Sequence, residues 1–187
     1  MITTADSAAF EIRTAAVSDI PALRDVIEQS VRHLQKHDYS PEQIEGALGH
    51  ALGLDTQLIE DGTYFAAHPA NDRNRIAGCG GWSYRKTLFG SDGGPNREQA
   101  LLAPETDAAK IRAIFVRPEW ARRGLGTLLL KHCEDAAQRA GFRRLEMGST
   151  LTGVPLYKLK GYRELEPVDI PLPNGAVLPI VRMSKTL

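Results

Sequence analysis

The chain has 187 residues, of which 42% are hydrophobic and 25% charged, and its 23 basic residues balance its 23 acidic ones. This composition is typical of one ordinary globular domain. The balanced charge gives no indication of a nucleic-acid or membrane partner, and no apolar run is long enough to cross a bilayer. We find no secretory signal, and Cys79 and Cys133 are expected to be reduced and buried, which predicts a cytoplasmic protein.

Hydrophobic spacing in the first half of the chain predicts strands separated by two helical segments. Apolar residues three and four positions apart predict a helix that Ser18 caps and that continues to about His37. Ser40 and Gln43 form the capping pattern of a second segment, expected as one or two short helices up to Leu54. The predicted strands are residues 10–14, 63–67 and 75–83.

The second half begins with a long loop, residues 86–106, in which the hydrophobic periodicity is lost. A short apolar strand over residues 111–116 ends before a proline, which cannot continue a ladder. Gly124 and Gly126 then precede a helix that Gly141 ends. The remaining predicted elements are a strand at 143–150, a short helix at 154–160, and a hairpin of 161–170 and 176–183 around Asn174-Gly175.

The turn between residues 111–116 and the following helix is suited to an anion. The first N–H groups of a helix lack acceptors, and the helix dipole adds partial positive charge there. The spacing does not fit a P-loop, because no lysine stands after Gly126 at the position that motif requires. It does not fit a dinucleotide fingerprint either, because Leu129 stands where the third glycine is needed. The predicted anion-binding residues are Arg122, Arg123, Gly124, Leu125, Gly126 and Thr127.

This turn lies in the stretch VRPEWARRGLGTLLL, which resembles the phosphate-binding motif of the GCN5-related N-acetyltransferases, the GNAT family. The family pattern is Q/R-x-x-G-x-G/A, and this chain has Ala121 at its first position. The order of predicted elements also matches the family. The resemblance implies one α/β domain over residues 10–187, with a twisted mixed sheet and helices on both faces, and a flexible segment at residues 1–9. It also implies that the turn binds the pyrophosphate of acetyl-CoA, whereas the alternative is a turn whose glycines serve packing alone.

A second match to the family lies at Tyr157, Gly161 and Tyr162, which fit the pattern Y-x-x-x-G-[FY]. The resemblance implies that Tyr157 lies near the sulfur of acetyl-CoA and protonates the departing thiolate. A phenol titrates near 10 and a thiol near 8.5, so Tyr157 is a suitable acid at neutral pH. The alternative is that Tyr157 is a core aromatic, as is expected of Tyr162. Thr150 stands where the family often has an asparagine that holds the pantetheine arm.

The resemblance also implies that the strand at 111–116 splays from the next strand, where a backbone N–H stabilises the developing oxyanion. Many relatives place a glutamate base early on this strand, but Lys110 occupies that position here. Asp107, Glu119 and chains of water are the remaining candidates for the base. By the resemblance, three residues of the strand contact acetyl-CoA, the first and last of them through the pantetheine amides: Ile114, Phe115 and Val116.

Trp82, Tyr84 and Arg85 lie where the third strand enters the long loop, and we predict that they contact the acceptor substrate. Aromatic rings can hold a cationic amine, and an arginine can bind a carboxylate. The alternative is that Trp82 is a core residue and Arg85 a solvated charge. No metal site is predicted, because Leu34 stands between His33 and His37 where a zinc protease motif has its glutamate.

Together the two motifs predict an acetyl-CoA-dependent N-acetyltransferase that acts on a primary amine of a small molecule. Direct attack in a ternary complex is expected, because neither cysteine lies in a nucleophile's position. The alternatives are a non-catalytic acyl-CoA-binding sensor, a transferase that acts on a protein N-terminus, or one that uses a longer acyl group. The C-terminal hairpin and exposed sheet edges are compatible with a homodimer.

Overall fold

Seven strands form one mixed sheet in residues 9–95 and 97–187, the part of the chain that the computed structural model describes. The strands are β1 (Phe10–Thr14), β2 (Tyr64–Pro69), β3 (Gly78–Ser83), β4 (Ala109–Val116), β5 (Arg144–Thr150), β6 (Arg163–Pro171) and β7 (Val177–Thr186). Their order in the sheet is β1-β2-β3-β4-β5-β7-β6. All neighbouring strands are antiparallel except β4 and β5, which are parallel.

Five α-helices connect the strands in the described ranges, in the order that the sequence predicts. They are α1 (Ile20–Leu34), α2 (Pro41–Ala47), α3 (Thr56–Glu60), α4 (Leu125–Arg139) and α5 (Val154–Leu159). The predicted segment between α1 and β2 is therefore resolved into two short helices. None of these helices has the length and apolar character needed to span a membrane.

Helices cover both faces of the sheet, and the composition of β2 reflects this. Tyr64 and Ala66 pack in the cluster that includes α1, α2 and α3, whereas Phe65 packs with α4. All six residues of β2 are buried, as expected of a strand that is covered on both faces. The predicted fold, a mixed sheet between two helical layers, is confirmed.

The predicted boundaries of α1 are wrong at both ends. Ser18 lies within a short 3₁₀ turn, Val17–Asp19, and α1 begins only after it. The Asp19 carboxylate binds the Arg13 guanidinium at 2.6 and 2.9 Å and accepts the Ala16 N–H at 2.8 Å, so this turn has its own polar contacts. The helix ends at Leu34, three residues before the predicted end.

The capping pattern predicted for α2 is confirmed. Ser40 Oγ accepts the Gln43 N–H at 3.2 Å, and Gln43 Oε1 accepts the Ser40 N–H at 2.9 Å. Gln43 Nε2 also donates to the Val177 carbonyl at 2.7 Å. The same side chain therefore caps α2 and fixes it against β7.

The strands β4 and β5 diverge after two paired positions, and this divergence opens the cleft described below. Their pairing in the described structure is limited to Ala109 with Leu145 and Lys110 with Glu146. On its other side β4 contains a bulge against β3, where Ala113 has a φ of 50°. A bulge bends the strand that carries it, which turns the second half of β4 away from β5.

The C-terminal hairpin of β6 and β7 agrees with the turn predicted at Asn174-Gly175. It places β6 at an edge of the sheet, with most of its side chains exposed. The homodimer stays a prediction. The flexibility predicted for residues 1–9 concerns residues outside the described ranges, except for Ala9, whose carbonyl accepts the Ala70 N–H.

Candidate active site

The first candidate binding feature is the amino end of α4, which follows β4 directly. Gly124 caps the helix with a φ of 83°, a conformation that glycine adopts at little cost. The first helical bond runs from the Leu128 N–H to the Gly124 carbonyl at 3.0 Å. Within the described residues, the N–H groups of Leu125, Gly126 and Thr127 therefore have no protein acceptor. Three adjacent free donors at a helix N-terminus are chemically suited to an anion, as the sequence predicts.

The two arginines before this turn are exposed, but they differ in their surroundings. The Arg123 guanidinium lies 5.0 Å from the ring centre of Trp120, and Arg75 lies 5.6 Å from the same ring. Arg122 has a φ of 62°, an uncommon conformation for a residue with a side chain. The sequence motif predicted both arginines but did not single out Trp120, whose ring orders one of them beside the turn.

The glycine turn lies beside α5, the helix that carries Tyr157. A Cβ built on Gly126 would lie 3.5 Å from Leu156 Cδ2 and 4.0 Å from Val116 Cγ2. The end of β4, the start of α4 and α5 therefore meet at one place. This arrangement joins the two sequence motifs, which lie about thirty residues apart in the chain, into one site.

A cleft runs between the diverging halves of β4 and β5 and continues toward the end of α1 and the loop after β3. Of the predicted residues, Ile114, Phe115, Thr150 and Tyr157 line it. Val116 lies beyond it, next to the glycine turn. The other lining residues come from β4 and β5, from the ends of helices and from two loops: Gln35, Ala51, Leu52, Gly53, Leu88, Phe89, Gly90, Ile111, Arg112, Ala113, Met147, Gly148 and Ser149.

Tyr157 is partly buried on the cleft side of α5. Its ring packs edge-on against Tyr162 at 5.8 Å, and burial raises the pKa of its phenol above the usual value. Its hydroxyl makes no hydrogen bond to another described residue, although it lines the cleft. By contrast, the buried Tyr162 donates its hydroxyl to Glu134 at 2.9 Å and belongs to the core, as predicted. Among the described residues, the Tyr157 hydroxyl therefore has no protein partner on the side of the cleft.

A buried ion-pair cluster, which the sequence did not reveal, holds one wall of the cleft. Arg112 on β4 is 3% exposed and donates to Asp55 at 3.0 Å and to the carbonyls of Thr87 and Gly90 at 3.1 and 2.8 Å. Arg97 donates to the same carboxylate at 2.8 Å. Burial lowers the pKa of the Arg112 guanidinium, and Asp55 opposes this effect. The cluster fixes the loop after β3, including Leu88 and Phe89, against β4.

Tyr39 holds a second wall of the cleft. Its hydroxyl donates to the Pro179 carbonyl at 2.7 Å and accepts the Leu151 N–H at 2.8 Å. Burial is the main cause that raises the pKa of this phenol to about 12. Tyr39 therefore ties the connection between α1 and α2 to β7 and to the start of the loop after β5.

None of the candidate bases lines the cleft in the described structure. Lys110 binds Glu146 at 3.0 Å, and although burial raises the pKa of Glu146, its hydrogen bonds to Lys110 and Arg182 lower it overall. Asp107 accepts the Ala103 N–H at 2.7 Å. Glu119 binds Arg75 at 3.3 Å on the surface. No side chain that lines the described cleft is a carboxylate or an imidazole.

The three predicted acceptor residues also lie outside the cleft lining. Trp82 is 6% exposed and packs edge-on against Tyr84 and Phe142 in the core beside α4. Arg85 binds Asp61 with two hydrogen bonds of 2.7 and 2.8 Å. Hydrophobic packing and this ion pair account for the residues that sequence position alone suggested for substrate binding. The geometry gives the predicted role no support.

Comparison with known proteins assigns the family. The family model described as "Acetyltransferase (GNAT) family" matches residues 28–162, well over half of the chain. The protein belongs to this family and is a GNAT-type N-acetyltransferase. No curated protein matches the chain.

Several solved structures share the fold at low sequence identity. A GCN5-related N-acetyltransferase from Rhodopseudomonas palustris is 19% identical, with 96% of each chain covered and a TM-score of 0.70. The PaiA N-acetyltransferase from Thermoplasma acidophilum, in complex with coenzyme A, is 14% identical, covers 96% of this chain and 99% of its own, and has a TM-score of 0.63. A ribosomal-protein-alanine N-acetyltransferase from Brucella melitensis is 17% identical, with 95% and 99% covered and a TM-score of 0.60.

The buried cluster predicts a large effect of a single charge. Asp55→Asn keeps the size of the side chain and its ability to cap α3, but it leaves the buried Arg112 without a counter-ion and removes the closer of the two carboxylates beside Arg97. We expect urea denaturation to show a loss of about 3 kcal/mol or more in the free energy of unfolding. As the control, Asp135→Asn removes a carboxylate that pairs with Lys131 on the exposed face of α4 and should cost less than about 0.5 kcal/mol. Equal, small losses for both variants would contradict the importance assigned to the cluster.

Proposed function

We propose that this enzyme transfers the acetyl group of acetyl-CoA to the primary amine of a small molecule, by direct attack in a ternary complex. One observation carries the proposal. The free N–H groups at the start of α4 lie beside α5 and the end of β4, next to the cleft that separates β4 from β5 and that Tyr157 lines. A pyrophosphate, a pantetheine amide chain and a thioester need these features in this order.

The roles of the residues follow from their chemistry. The N–H groups of residues 125–127, with Arg122 and Arg123, bind the pyrophosphate. Beyond its last pair with β5, the edge of β4 from Ile114 to Val116 pairs with the pantetheine amides as an added strand would. Thr150 lines the opposite wall. A backbone N–H in this divergence supports the developing oxyanion.

The transfer itself exchanges one bond to the acetyl carbon for another. The neutral amine attacks the thioester carbonyl, a C–N bond forms, and the C–S bond breaks as the oxyanion collapses. Tyr157 supplies a proton to the sulfur and recovers one from solvent, while the nitrogen releases its extra proton to water. Neither cysteine forms an acetyl-enzyme, since both are fully buried and burial raises the pKa of each thiol.

A protein N-terminus is the second candidate acceptor. Two of the structural neighbours are named as ribosomal-protein alanine acetyltransferases, one from Escherichia coli and one from Brucella melitensis. We favour a small molecule because Tyr39 and Arg112 fix two walls of the cleft around a confined space. We also propose a cytoplasmic location, which the two free, buried cysteines support, and a homodimer, for which the exposed edge strand β6 is available.

The proposed function is tested by calorimetric titration with CoA and acetyl-CoA, followed by assays of thiol release with a panel of amines and an alanine-terminated peptide. Binding with release for one class of small amine is the expected result. Binding without release for any acceptor would favour a sensor, and release with the peptide alone would favour a protein substrate. If neither nucleotide bound, the turn at α4 would be a packing feature only.

Gly124→Glu should abolish the anion site, because it adds bulk and negative charge beside the free N–H groups. We expect the Kd for CoA to rise at least tenfold. Gly175→Glu is the matched control, because Gly175 in the β6–β7 turn also has a positive φ, 87°, and no atom near the position of a Cβ. Both variants should lose a similar amount of stability, about 1 kcal/mol. Equal CoA affinity for the two variants would refute the anion site.

Tyr157→Phe should lower kcat by about 100-fold, the lower end of what a general acid contributes, with the Kd for CoA unchanged. Because burial raises the pKa of Tyr157, we expect no loss of activity from its ionisation up to about pH 10. Tyr162→Phe is the control. It removes a hydroxyl that donates to Glu134 in the core, so we expect it to lower stability and to leave kcat nearly unchanged. An unchanged kcat for Tyr157→Phe, with chemistry rate-limiting, would exclude the role as an acid.

A further inference from the structure

Gln35 has a polar atom in the cleft that no described residue satisfies. It follows α1 directly, is 5% exposed, and lines the cleft together with Ala113 and Tyr157. Its Oε1 is buried and has no hydrogen-bond partner within the described residues. Its backbone groups are all hydrogen-bonded: the N–H donates to the Val31 carbonyl, and the carbonyl accepts the N–H groups of Asp38 and Tyr39. The main chain is therefore fixed while the amide oxygen is free.

A buried carbonyl oxygen without a donor costs stability, and native proteins satisfy nearly all such groups. Because no described residue supplies this donor, a ligand that enters the cleft is the partner that we consider. Acetyl-CoA does not account for it, since the proposed contacts of the cofactor lie on β4, α4, α5 and Thr150. Gln35 follows α1, so the cleft lining that it contributes comes from an element that the proposed cofactor contacts do not use.

The surroundings of Gln35 restrict what kind of donor can enter. No side chain that lines the described cleft is acidic, so nothing there stabilises a second positive charge on a substrate. The Arg112 guanidinium pairs with Asp55 and donates to two backbone carbonyls, so it is poorly suited to bind a carboxylate of the substrate as well. Apart from Gln35, Arg112, Ser149, Thr150 and Tyr157, the side chains that line the described cleft are apolar, Leu52, Leu88 and Phe89 among them. The cleft suits one amine on an uncharged, apolar body.

We propose that Gln35 binds the acceptor by accepting an N–H of its amine at Oε1, and that the acceptor is a primary monoamine with an apolar or aromatic body. This inference rests on the proposed acetyl transfer. Accepting that hydrogen bond orients the nitrogen lone pair away from Gln35 and toward the thioester across the cleft. It also favours the neutral amine, since an amide oxygen has no charge to hold an ammonium ion.

The test compares phenethylamine, 1,4-diaminobutane and glutamate as acceptors, with thiol release as the assay. Both cysteines of the chain are buried, so a thiol reagent reports released CoA. For the unmodified enzyme we expect phenethylamine to have a kcat/KM at least tenfold above those of the diamine and of glutamate. A preference for the diamine, for glutamate or for an alanine-terminated peptide would overturn the assigned substrate class.

Two variants test the role of Gln35. The control is Gln29→Leu, because Gln29 lies in α1 and does not line the cleft. Gln35→Leu should raise the KM for phenethylamine about three- to tenfold, the range expected for one lost hydrogen bond, with the KM for acetyl-CoA unchanged. Gln35→Glu keeps an acceptor oxygen, so it should retain more activity with phenethylamine than Gln35→Leu does. The added negative charge should also raise the kcat/KM for the diamine.

Each outcome separates this inference from the proposed function. If Gln35→Leu left the KM for phenethylamine unchanged, or weakened CoA binding to the same extent, Gln35 would not be an acceptor residue. Loss of activity in Gln35→Glu equal to that in Gln35→Leu would mean that the amide N–H₂ is the group used, which also overturns the inference. Failure of the unmodified enzyme to bind CoA or release thiol with any amine would instead contradict the proposed function.

Discussion

The site depends on the early separation of β4 and β5. Two parallel strands that share a sheet normally pair along their length, because unpaired backbone groups in a protein interior are costly. Here the pairing stops at Lys110, and the bulge at Ala113 directs the rest of β4 away from its neighbour. The exposed strand edge therefore needs an external partner. A cosubstrate that carries amide groups along a flexible arm can supply one, and the free helix terminus at the end of the same strand fixes where its phosphates lie.

An open edge is stable only if the structure around it is held from outside the sheet. Arg112 performs this function on one side, since its guanidinium bonds a carboxylate before α3 and two carbonyls of the loop after β3. Tyr39 performs it on the other side through β7 and the residue after β5. Both groups are buried, and each bonds at least two separate segments of the chain. These hydrogen bonds hold the elements around the cleft in place where β4 and β5 do not pair.

The sequence predicted the fold correctly and offered residues for acetyl-CoA binding, because both kinds of prediction depend on local patterns. Hydrophobic spacing reports burial, and the glycine turn after β4 is contiguous in the chain, so a motif can represent it. The boundaries of α1 were missed because the side chain of Asp19 made a separate turn with Arg13, a contact that periodicity does not reveal. The acceptor role of Trp82 stays a prediction. Its packing against Phe142 agrees with the alternative that it is a core residue, and an aromatic residue at the end of a strand looks the same in sequence in both cases.

The acceptor half of the site could not be predicted because its residues meet only in three dimensions. Gln35, Leu52 and Phe89 come from a helix end, a linker and a long loop, and none belongs to a recognisable spacing. What identifies Gln35 is an energetic deficit, a buried oxygen without a donor, and such a deficit exists only in the folded chain. The two halves are therefore specified differently. The proposed binding of acetyl-CoA uses backbone geometry that many sequences can form, whereas the proposed selection of the acceptor depends on a few side chains.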